Sequence, residues 1–290
     1  MIICVASGKG GTGKTFVSTN LFTMMKRRGF SVILTDCDAE VPNSGIFINK
    51  TKISEEKVKV FCPEISFDKC TYCGECADKC SFNAITCVPD MDFINVLPDI
   101  CHGCRLCEYV CKEGAITPMW KNIGKVTAFG DDNVEMVEAR VNVKQLSPVP
   151  VIRKAIATAK NAMSDYVILD APPGCSCPFV NTALPSDFVL LVTEPTPFGL
   201  SDLKHTIEVI ESFDKHCGVI INRSDLGDGQ MKEYLASKNI EIMAEIPYSN
   251  KVAECYASGK IAAEEYPEFE DLFISLIEKI KHYEDSNSKR

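Results

Sequence analysis

The stretch Gly8-Lys9-Gly10-Gly11-Thr12-Gly13-Lys14-Thr15 matches the phosphate-binding loop pattern G-x-x-x-x-G-K-[ST]. Its glycines let backbone N–H groups turn towards phosphate oxygens at the start of a helix, where the helix dipole also favours anions. Lys14 is then predicted to reach the β- and γ-phosphates, and Thr15 to bind Mg²⁺. A coincidental glycine turn is the alternative, but a strand pattern precedes the loop at residues 2–6 and a helical pattern follows it at residues 15–28.

Short apolar runs that end in polar residues continue this pattern along the chain. They lie at residues 31–34, 166–169, 188–192 and 219–221, with helical segments such as 151–163 and 203–213 between them. Strands that are almost wholly apolar are buried on both faces of a sheet. The sequence therefore predicts an α/β fold with a mostly parallel sheet covered by helices on both faces, and with ligands bound at the carboxyl ends of the strands.

Cysteine spacing marks a different unit in the middle of the chain. Two C-x2-C-x2-C-x3-C runs recur with a period of 31 residues: Cys70, Cys73, Cys76 and Cys80, then Cys101, Cys104, Cys107 and Cys111. In the ferredoxin run of this spacing, the fourth cysteine binds the cluster of the other run. One 4Fe-4S cluster is therefore predicted on Cys70, Cys73, Cys76 and Cys111, and a second on Cys101, Cys104, Cys107 and Cys80. A zinc site is the alternative, although no matching histidine pattern accompanies the cysteines.

These cysteine runs divide the chain into two predicted domains. Residues 1–60 and 119–290 form a P-loop nucleotide-binding domain, and residues 61–118 form an inserted, small α+β domain of bacterial-ferredoxin type. Within the insert we predict no long amphipathic helix and no buried strand. Residues 119–146 are predicted to return the chain to the sheet, with strand character in residues 134–143.

The composition limits the function classes that remain. The 290 residues include 16 cysteines and carry a formal net charge of −9, which disfavours nonspecific binding to nucleic acid or to anionic membranes. The chain contains no run of about 18 apolar residues, so no membrane-spanning helix is predicted. Residues 1–20 lack the pattern of a secretory signal peptide. A cytoplasmic location is expected, where cysteines bind metal or do redox chemistry more often than they form disulfides.

The first lysine of the loop points to a family. The pattern K-G-G-x-G-K-[ST], here residues 9–15, resembles the deviant Walker A motif of the MinD/ParA/Mrp superfamily of P-loop ATPases. The resemblance implies that Lys9 reaches the nucleotide of the other subunit in an ATP-dependent, face-to-face homodimer. Residues 36–43 (Asp-Cys-Asp-Ala-Glu-Val-Pro-Asn) and 170–174 (Asp-Ala-Pro-Pro-Gly) resemble the first and second switches of that family.

The same resemblance implies roles for side chains that follow the strands. Asp38 would position the attacking water, Asp36 would lie near the Mg²⁺ shell, and Asp170 would hold Mg²⁺ through water. For each aspartate taken alone, a helix N-cap is the alternative. The residues implied to contact the base of ATP or ADP are Asn222, Arg223 and Pro247. The resemblance covers residues 1–50 and 147–290.

Together these motifs resemble MinD-superfamily ATPases that carry an inserted ferredoxin domain. The first hypothesis is an ATPase that dimerises on ATP and couples its nucleotide state to electron transfer through two clusters to a redox or iron–sulfur partner protein. The second is an iron–sulfur carrier or scaffold of the Mrp type, which usually has a C-x-x-C motif where this chain has the C-x-C of Cys175 and Cys177. The third is a MinD-like positioning ATPase with redox-sensing clusters.

Overall fold

The sheet is the centre of the structure, a computed structural model that describes residues 1–227 and 229–287. Its strands, in chain order, are β1 (Ile2–Ala6), β2 (Val32–Asp36), β3 (Lys52–Ile65), β4 (Ile85–Val88), β5 (Phe93–Val96), β6 (Ile116–Gly130), β7 (Val134–Val141), β8 (Tyr166–Asp170), β9 (Phe188–Thr193), β10 (Cys217–Asn222) and β11 (Ile242–Ile246). β4 and β5 form a separate hairpin, and the others form a sheet in the order β11-β10-β9-β1-β8-β2-β7-β6-β3. From β11 to β7 the strands are parallel, whereas β6 and β3 are antiparallel to their neighbours.

Helices cover both faces of the parallel part of the sheet. In chain order they are α1 (Lys14–Arg27), α2 (Glu75–Asp78), α3 (Leu106–Val110), α4 (Val149–Asn161), α5 (Cys177–Ala183), α6 (Pro197–Glu211), α7 (Gln230–Ser237), α8 (Asn250–Ala257), α9 (Ala262–Glu265) and α10 (Pro267–Asn287). In β1, Ile3 and Val5 pack with α1 and α10 on one face, and Cys4 and Ala6 pack with α4 to α7 on the other. The predicted α/β fold with a mostly parallel, doubly covered sheet is confirmed.

Length and apolar character decide whether a helix of this set could cross a membrane. None of those among residues 1–227 and 229–287 combines the length and the apolar character that crossing a bilayer requires.

A long antiparallel ribbon of β3 and β6 corrects the prediction that residues 61–118 contain no buried strand. Its pairing runs from Lys52 opposite Phe129 to Ile65 opposite Ile116, so both strands continue past residues 60 and 118. Phe61 in β3 is 3% exposed. The first half of β3 escapes sequence analysis because its side chains are mostly charged and exposed, which leaves no apolar alternation to detect.

The register of β6 shows where this ribbon points. Gly124 of β6 lies opposite Val141, at the carboxyl end of β7. Because β7 is parallel to β2, this is the edge of the sheet where the parallel strands end. Residues 116–123 of β6 and 59–65 of β3 therefore project beyond that edge, by roughly 25 Å at about 3.4 Å per residue. We call these residues the projecting ribbon, and residues 66–115, which it carries, the cysteine module.

Candidate nucleotide site and cysteine module

The phosphate-binding loop connects β1 to α1 and presents its backbone at the N-terminus of α1. Gly13 has a φ of +100°, in the left-handed region that favours glycine. A Cβ at Gly13 would lie 2.5 Å from Nδ2 of Asn222, and this Nδ2 donates a hydrogen bond of 2.7 Å to the carbonyl of Thr12. Asn222, which is implied to recognise the base, is therefore hydrogen-bonded to the phosphate-binding loop.

Lys14 lies buried at the bottom of the loop. Its Nζ donates a hydrogen bond of 3.0 Å to Oγ of Ser7. Burial lowers the pKa of Lys14, while the nearby carboxylates of Asp170 and Asp38 act in the opposite direction. An ammonium group that has lost solvation and lies at the N-terminus of a helix is suited to binding phosphate.

Asp36 and Asp170 form a buried pair where β2 and β8 end side by side. Asp36 accepts backbone hydrogen bonds of 2.9 Å from Asn43, in the segment that resembles the first switch, and from Ser44, which follows it. Asp170 accepts hydrogen bonds from the hydroxyls of Ser18 at 3.1 Å and Ser44 at 2.9 Å. Burial raises the pKa of both carboxyls, and for Asp36 the proximity of Asp170 raises it further.

This acid pair has the donor chemistry that Mg²⁺ prefers. The hydroxyl of Thr15 is hydrogen-bonded to Asp170, so hydroxyl and carboxylate oxygens meet at the N-terminus of α1. Two buried carboxylates with no cation between them repel each other, which favours either a proton or a divalent cation at this point. The residues present therefore fit a magnesium ion held next to the phosphate loop.

A cavity of about 390 Å³ opens in front of the loop. It brings together predicted residues from separate parts of the chain: Gly10, Gly11, Gly13, Lys14, Thr15, Asp38, Asn222, Arg223 and Pro247. Asp38 is half-buried in it, and burial raises the pKa of its carboxyl. Gly8 lies behind the cavity, where a Cβ would approach Cβ of Asp202 in α6 to 2.8 Å.

Sequence analysis missed one wall of this cavity. Phe16, Val252 and Tyr256 line it together with the predicted residues, and the hydroxyl of Tyr256 is hydrogen-bonded to Thr15. Val252 and Tyr256 belong to α8, which begins three residues after Pro247, one of the residues implied to contact the base. Their spacing of four residues on α8 is typical of a helix packed on a core, and that spacing gives no sign of a ligand.

Lys9 lies outside the cavity of its own chain. Its Nζ is 3.4 Å from Oε2 of Glu194, whose other oxygen is 2.9 Å from Nη1 of Arg223. The Glu194 side chain is 10% exposed, whereas that of Lys9 is 35% exposed. In a single chain, Lys9 is thus held at the surface by Glu194, which also pairs with Arg223.

The eight cysteines of the two runs line two cavities of the cysteine module. Cys70, Cys73, Cys76 and Cys111 line one of about 170 Å³, together with Ile65 and Ile116 at the end of the projecting ribbon; we call it the distal site. Cys80, Cys101, Cys104 and Cys107 line a second of about 20 Å³, together with Phe61 and Pro63 nearer the main sheet; we call it the proximal site. These are the two groups of four that the ferredoxin spacing predicts.

The thiols of each cysteine site are spread around a cavity. In the part of the chain that the structure describes, no three His, Cys, Asp or Glu side chains converge on one point. In a cubane cluster each cysteine binds a different iron, so the sulfurs enclose a volume instead of a point. Four thiols line each cavity, which is the number of ligands that one 4Fe-4S cluster takes.

The surroundings of the sulfurs repeat between the two halves. Backbone N–H groups of Ala84 and Ala115 donate hydrogen bonds of 3.3 Å to the sulfurs of Cys80 and Cys111. Such hydrogen bonds stabilise a thiolate ligand. Burial raises the pKa of Cys76 and the equivalent Cys107 to about 11.

The cysteines outside the two runs occupy varied environments. Cys62 is buried beside Cys101 of the proximal site, and Cys87 is hydrogen-bonded at 3.6 Å to the carbonyl of Tyr72. Of the C-x-C pair, Sγ of Cys175 lies 3.2 Å from Oγ1 of Thr206, whereas Cys177 is exposed at the start of α5.

Comparison with known proteins agrees with this fold. An uncharacterized protein of Methanocaldococcus jannaschii is 30% identical over 90% of both chains. An iron-sulfur cluster carrier protein of Pyrococcus horikoshii is 23% identical, covering 99% of this chain and 89% of its own. The structure of the septum site-determining protein MinD complexed with Mg-ADP, also from Pyrococcus horikoshii, has a TM-score of 0.57 at 20% identity and covers 96% of this chain and 95% of its own.

The family assignment rests on a match that spans most of the sequence. The family model described as the CobQ/CobB/MinD/ParA nucleotide binding domain matches residues 3–262, a range that includes both the phosphate-binding loop and the cysteine module. The chain therefore belongs to the CobQ/CobB/MinD/ParA nucleotide-binding family.

Proposed function

We propose that the chain is an ATPase that dimerises on ATP and couples its nucleotide state to electron transfer through two 4Fe-4S clusters to a partner protein. One observation carries this proposal: the sheet that ends at the nucleotide cavity also extends into the ribbon that carries both cysteine sites. The relatives named MinD, one of them bound to Mg-ADP, and iron-sulfur cluster carrier support the nucleotide and the iron–sulfur parts separately.

In the ATPase reaction, each side chain of the cavity has a distinct task. Lys14 contacts the β- and γ-phosphates, and Thr15 with Asp170 would hold Mg²⁺ beside them. Bound Mg²⁺ would neutralise charge on the transferred phosphoryl group. Asp38, on the same cavity, orients the water that attacks the γ-phosphate.

Lys9 supplies the step that depends on the dimer. Because it is half exposed and outside its own cavity, it is free to contact the phosphates of a second copy once its ion pair with Glu194 opens. A positive charge added from the partner stabilises the transition state for phosphoryl transfer. ATP hydrolysis is therefore expected to require the dimer.

The first switch is connected to the projecting ribbon by backbone hydrogen bonds. The carbonyl of Ala39 accepts a hydrogen bond of 2.8 Å from the N–H of Val141, at the end of β7. The next residue, Asn142, donates one of 2.8 Å to the carbonyl of Ile123, at the base of the ribbon. Ala39 and Ile123 also share one buried cluster with Val58 of β3. A movement of the switch on hydrolysis is thereby passed to the strands that carry the cysteine module.

The cysteine module provides the ligands for the redox function. Each cavity offers four thiols, and the hydrogen bonds to Cys80 and Cys111 are of the kind that hold cluster ligands in place. Two 4Fe-4S clusters would supply one-electron carriers at the end of the ribbon. The exposed thiols of Cys73 and Cys104 place the edge of each site at the surface, where a partner protein exchanges electrons.

An iron–sulfur carrier is the second candidate. It is favoured by the carrier relative and by the exposed thiol of Cys177, which follows the second switch. A labile bridging cluster would need paired thiols, but Cys175 is turned towards Thr206.

The decisive experiment is anaerobic purification with iron and sulfide counts, followed by EPR of the reduced protein with and without MgATP. We expect about eight irons for each chain and a spectrum or potential that changes with the nucleotide. Lys9→Ala should abolish both ATP-driven dimerisation and that change. Lys26→Ala is the matched control, since its ion pair with Glu135 is similarly half-buried and lies outside the site.

Three outcomes would contradict parts of this proposal. Clusters indifferent to MgATP would contradict coupling. Transfer of iron to an apo-ferredoxin in place of electrons would favour the carrier. Dimerisation and ATPase activity that survive Lys9→Ala would contradict the role given to Lys9.

A further inference from the structure

The distal and proximal cysteine sites are related by the 31-residue repeat, so their linings can be compared position by position. The thiols are matched in burial. Cys76 and Cys107 are buried and Cys73 and Cys104 are exposed, and the other four are half-buried. Because solvent exposure and hydrogen bonds to sulfur set cluster potentials, matched thiols by themselves give the two sites similar potentials.

The carboxylates around the two sites do not follow the repeat. Glu75 and Glu113 line the distal cavity, and the residues 31 positions away, Leu106 and Phe82, line the proximal one. Reduction adds negative charge to a cluster, so nearby carboxylates oppose it and lower the reduction potential. Because Leu106 and Phe82 are uncharged, they do not oppose reduction of a cluster at the proximal site.

The basic side chains leave this difference in place. Lys112 lines the distal cavity, so it offsets one of the two carboxylates there and a net negative charge remains. Arg105 lines the proximal cavity and is also paired with Glu108 at 2.7 Å. Counted by charge, the distal lining is negative and the proximal lining is neutral to positive.

Contacts to one proximal sulfur act in the same direction. The N–H of Gly103 donates a hydrogen bond of 3.4 Å to Sγ of Cys101, and the thiol of Cys62 is buried beside the same sulfur. Donors at a ligand sulfur stabilise the more negative, reduced cluster.

A ring pair acts in the opposite direction. Phe82 and His102 stack with centroids 3.8 Å apart and planes 12° apart, and both line the proximal cavity. By excluding water they disfavour the reduced state. Since the proximal cysteines are as exposed as the distal ones, this effect is confined to one side of the site.

Resting on the function proposed above, we infer that the two sites are inequivalent and that the proximal one has the higher reduction potential. A low-potential one-electron donor that reduces the protein by one electron thus leaves that electron on the proximal site, and no bond is made or broken. The proximal site also lies nearer the sheet, at Phe61 and Pro63 of β3. The electron therefore comes to rest on the side of the module that faces the nucleotide switch.

A potentiometric EPR titration of the purified full chain tests this inference. We expect two reduction steps, with at least tenfold preference of the first electron for one site, which corresponds to about 59 mV for a one-electron couple. The double variant Glu75→Gln/Glu113→Gln should raise the lower potential, and Leu106→Glu should lower the higher one. Asp132→Asn, in the exposed turn between β6 and β7 at the far end of the ribbon, is the control that should change neither.

The outcomes separate the inference from the function on which it rests. One shared potential, or a rise of the higher potential in the glutamate double variant, would overturn the inference while leaving a cluster-binding protein. Wild-type protein without bound iron and sulfide would overturn the proposed function, and the inference with it.

Discussion

At the scale of the residue, the buried acid pair of Asp36 and Asp170 is the strongest electrostatic feature of the site. Asp36 is 0% exposed and Asp170 is 2% exposed, and they end neighbouring strands. Without a cation the pair costs stability, because burial and mutual repulsion both disfavour the charged forms. Binding of Mg²⁺ with nucleotide relieves that cost, so the site is destabilised until it is filled.

The pair predicts how stability depends on pH. Burial, with Asp170 nearby, raises the pKa of Asp36 to about 7 in the folded chain, against about 3.9 in an unfolded chain. The folded state then binds the proton more tightly than the unfolded state does. The contribution of this carboxyl to the free energy of unfolding is therefore complete below about pH 4 and is lost as the pH rises towards 7. The Asp36→Asn variant lacks this titrating group. Between pH 5 and 7, its free energy of unfolding should therefore rise relative to that of the wild type by about 1 kcal/mol for each pH unit.

Urea denaturation at several pH values, in EDTA and without nucleotide, measures this gain. Saturating Mg²⁺ and ADP should raise the stability of the wild type and flatten its pH dependence, because the cation replaces the proton. Parallel pH profiles for wild type and Asp36→Asn would contradict the prediction.

The site residues show what sequence analysis reaches at this scale. Lys14, Thr15 and Asp38 were predicted from motifs because short backbone segments with fixed spacing place them, and the structure brings them to one cavity. Tyr256 and the ion pair of Lys9 with Glu194 were not predicted. They depend on contacts between segments far apart in the chain, which no local pattern records.

At the scale of the element, most strands of the parallel sheet were predicted from the sequence, whereas the ribbon of β3 and β6 was not. The apolar runs at β1, β2, β8, β9 and β10 were recognised because strands buried on both faces leave a continuous apolar signal. β3 gives no such signal, since its first six residues are exposed. Its pairing with β6 joins residues up to 77 positions apart, from Lys52 to Phe129, which is beyond the reach of periodicity.

The base of the ribbon is closely packed and gives a second prediction. A Cβ at Gly124 would lie 2.5 Å from the carbonyl oxygen of Arg140 and 2.8 Å from Cγ2 of Val151. Gly124→Ala should therefore lower the free energy of unfolding by about 1–3 kcal/mol, because β6, β7 and α4 must separate to admit the methyl group. Urea denaturation measures the change.

Gly45→Ala is the matched control for that variant. There the nearest heavy atom to an added Cβ is Cε of Met136 at 3.6 Å, an ordinary contact. Its free energy of unfolding should stay within about 0.5 kcal/mol of wild type or rise. Equal effects of the two alanines would show that the base of the ribbon tolerates expansion.

At the scale of the whole molecule, the chain combines a large core with a very small one. The two faces of the main sheet are covered by extensive buried clusters. The buried cluster of the cysteine module consists of Cys76, Ile85, Ile94 and Cys107, together with Phe61 and Ile116 of the projecting ribbon, and two of these six are predicted cluster ligands. A core of this size does not hold some 50 residues in one conformation without metal or disulfides.

Removal of iron should therefore affect the two parts unequally. Treatment with an oxidant and a chelator is expected to increase amide hydrogen exchange in β4 and β5 at least tenfold, because ligand binding and folding of the module are linked. Exchange in β1, β8 and β9 should stay unchanged. Unaltered protection of β4 and β5 would show that the module is stable without its clusters.

The outer edge of β3 also bears on the solubility of the chain. Its first eight residues include Lys52, Glu55, Glu56, Lys57 and Lys59, and Glu55 is held between Lys52 at 3.0 Å and Lys125 at 2.9 Å. A long flat strand with open N–H and C=O groups invites another strand to add to it, which is a route to aggregation. Charged side chains of both signs along this edge oppose that addition. The sheet therefore carries the projecting ribbon without exposing an edge that favours the addition of another strand.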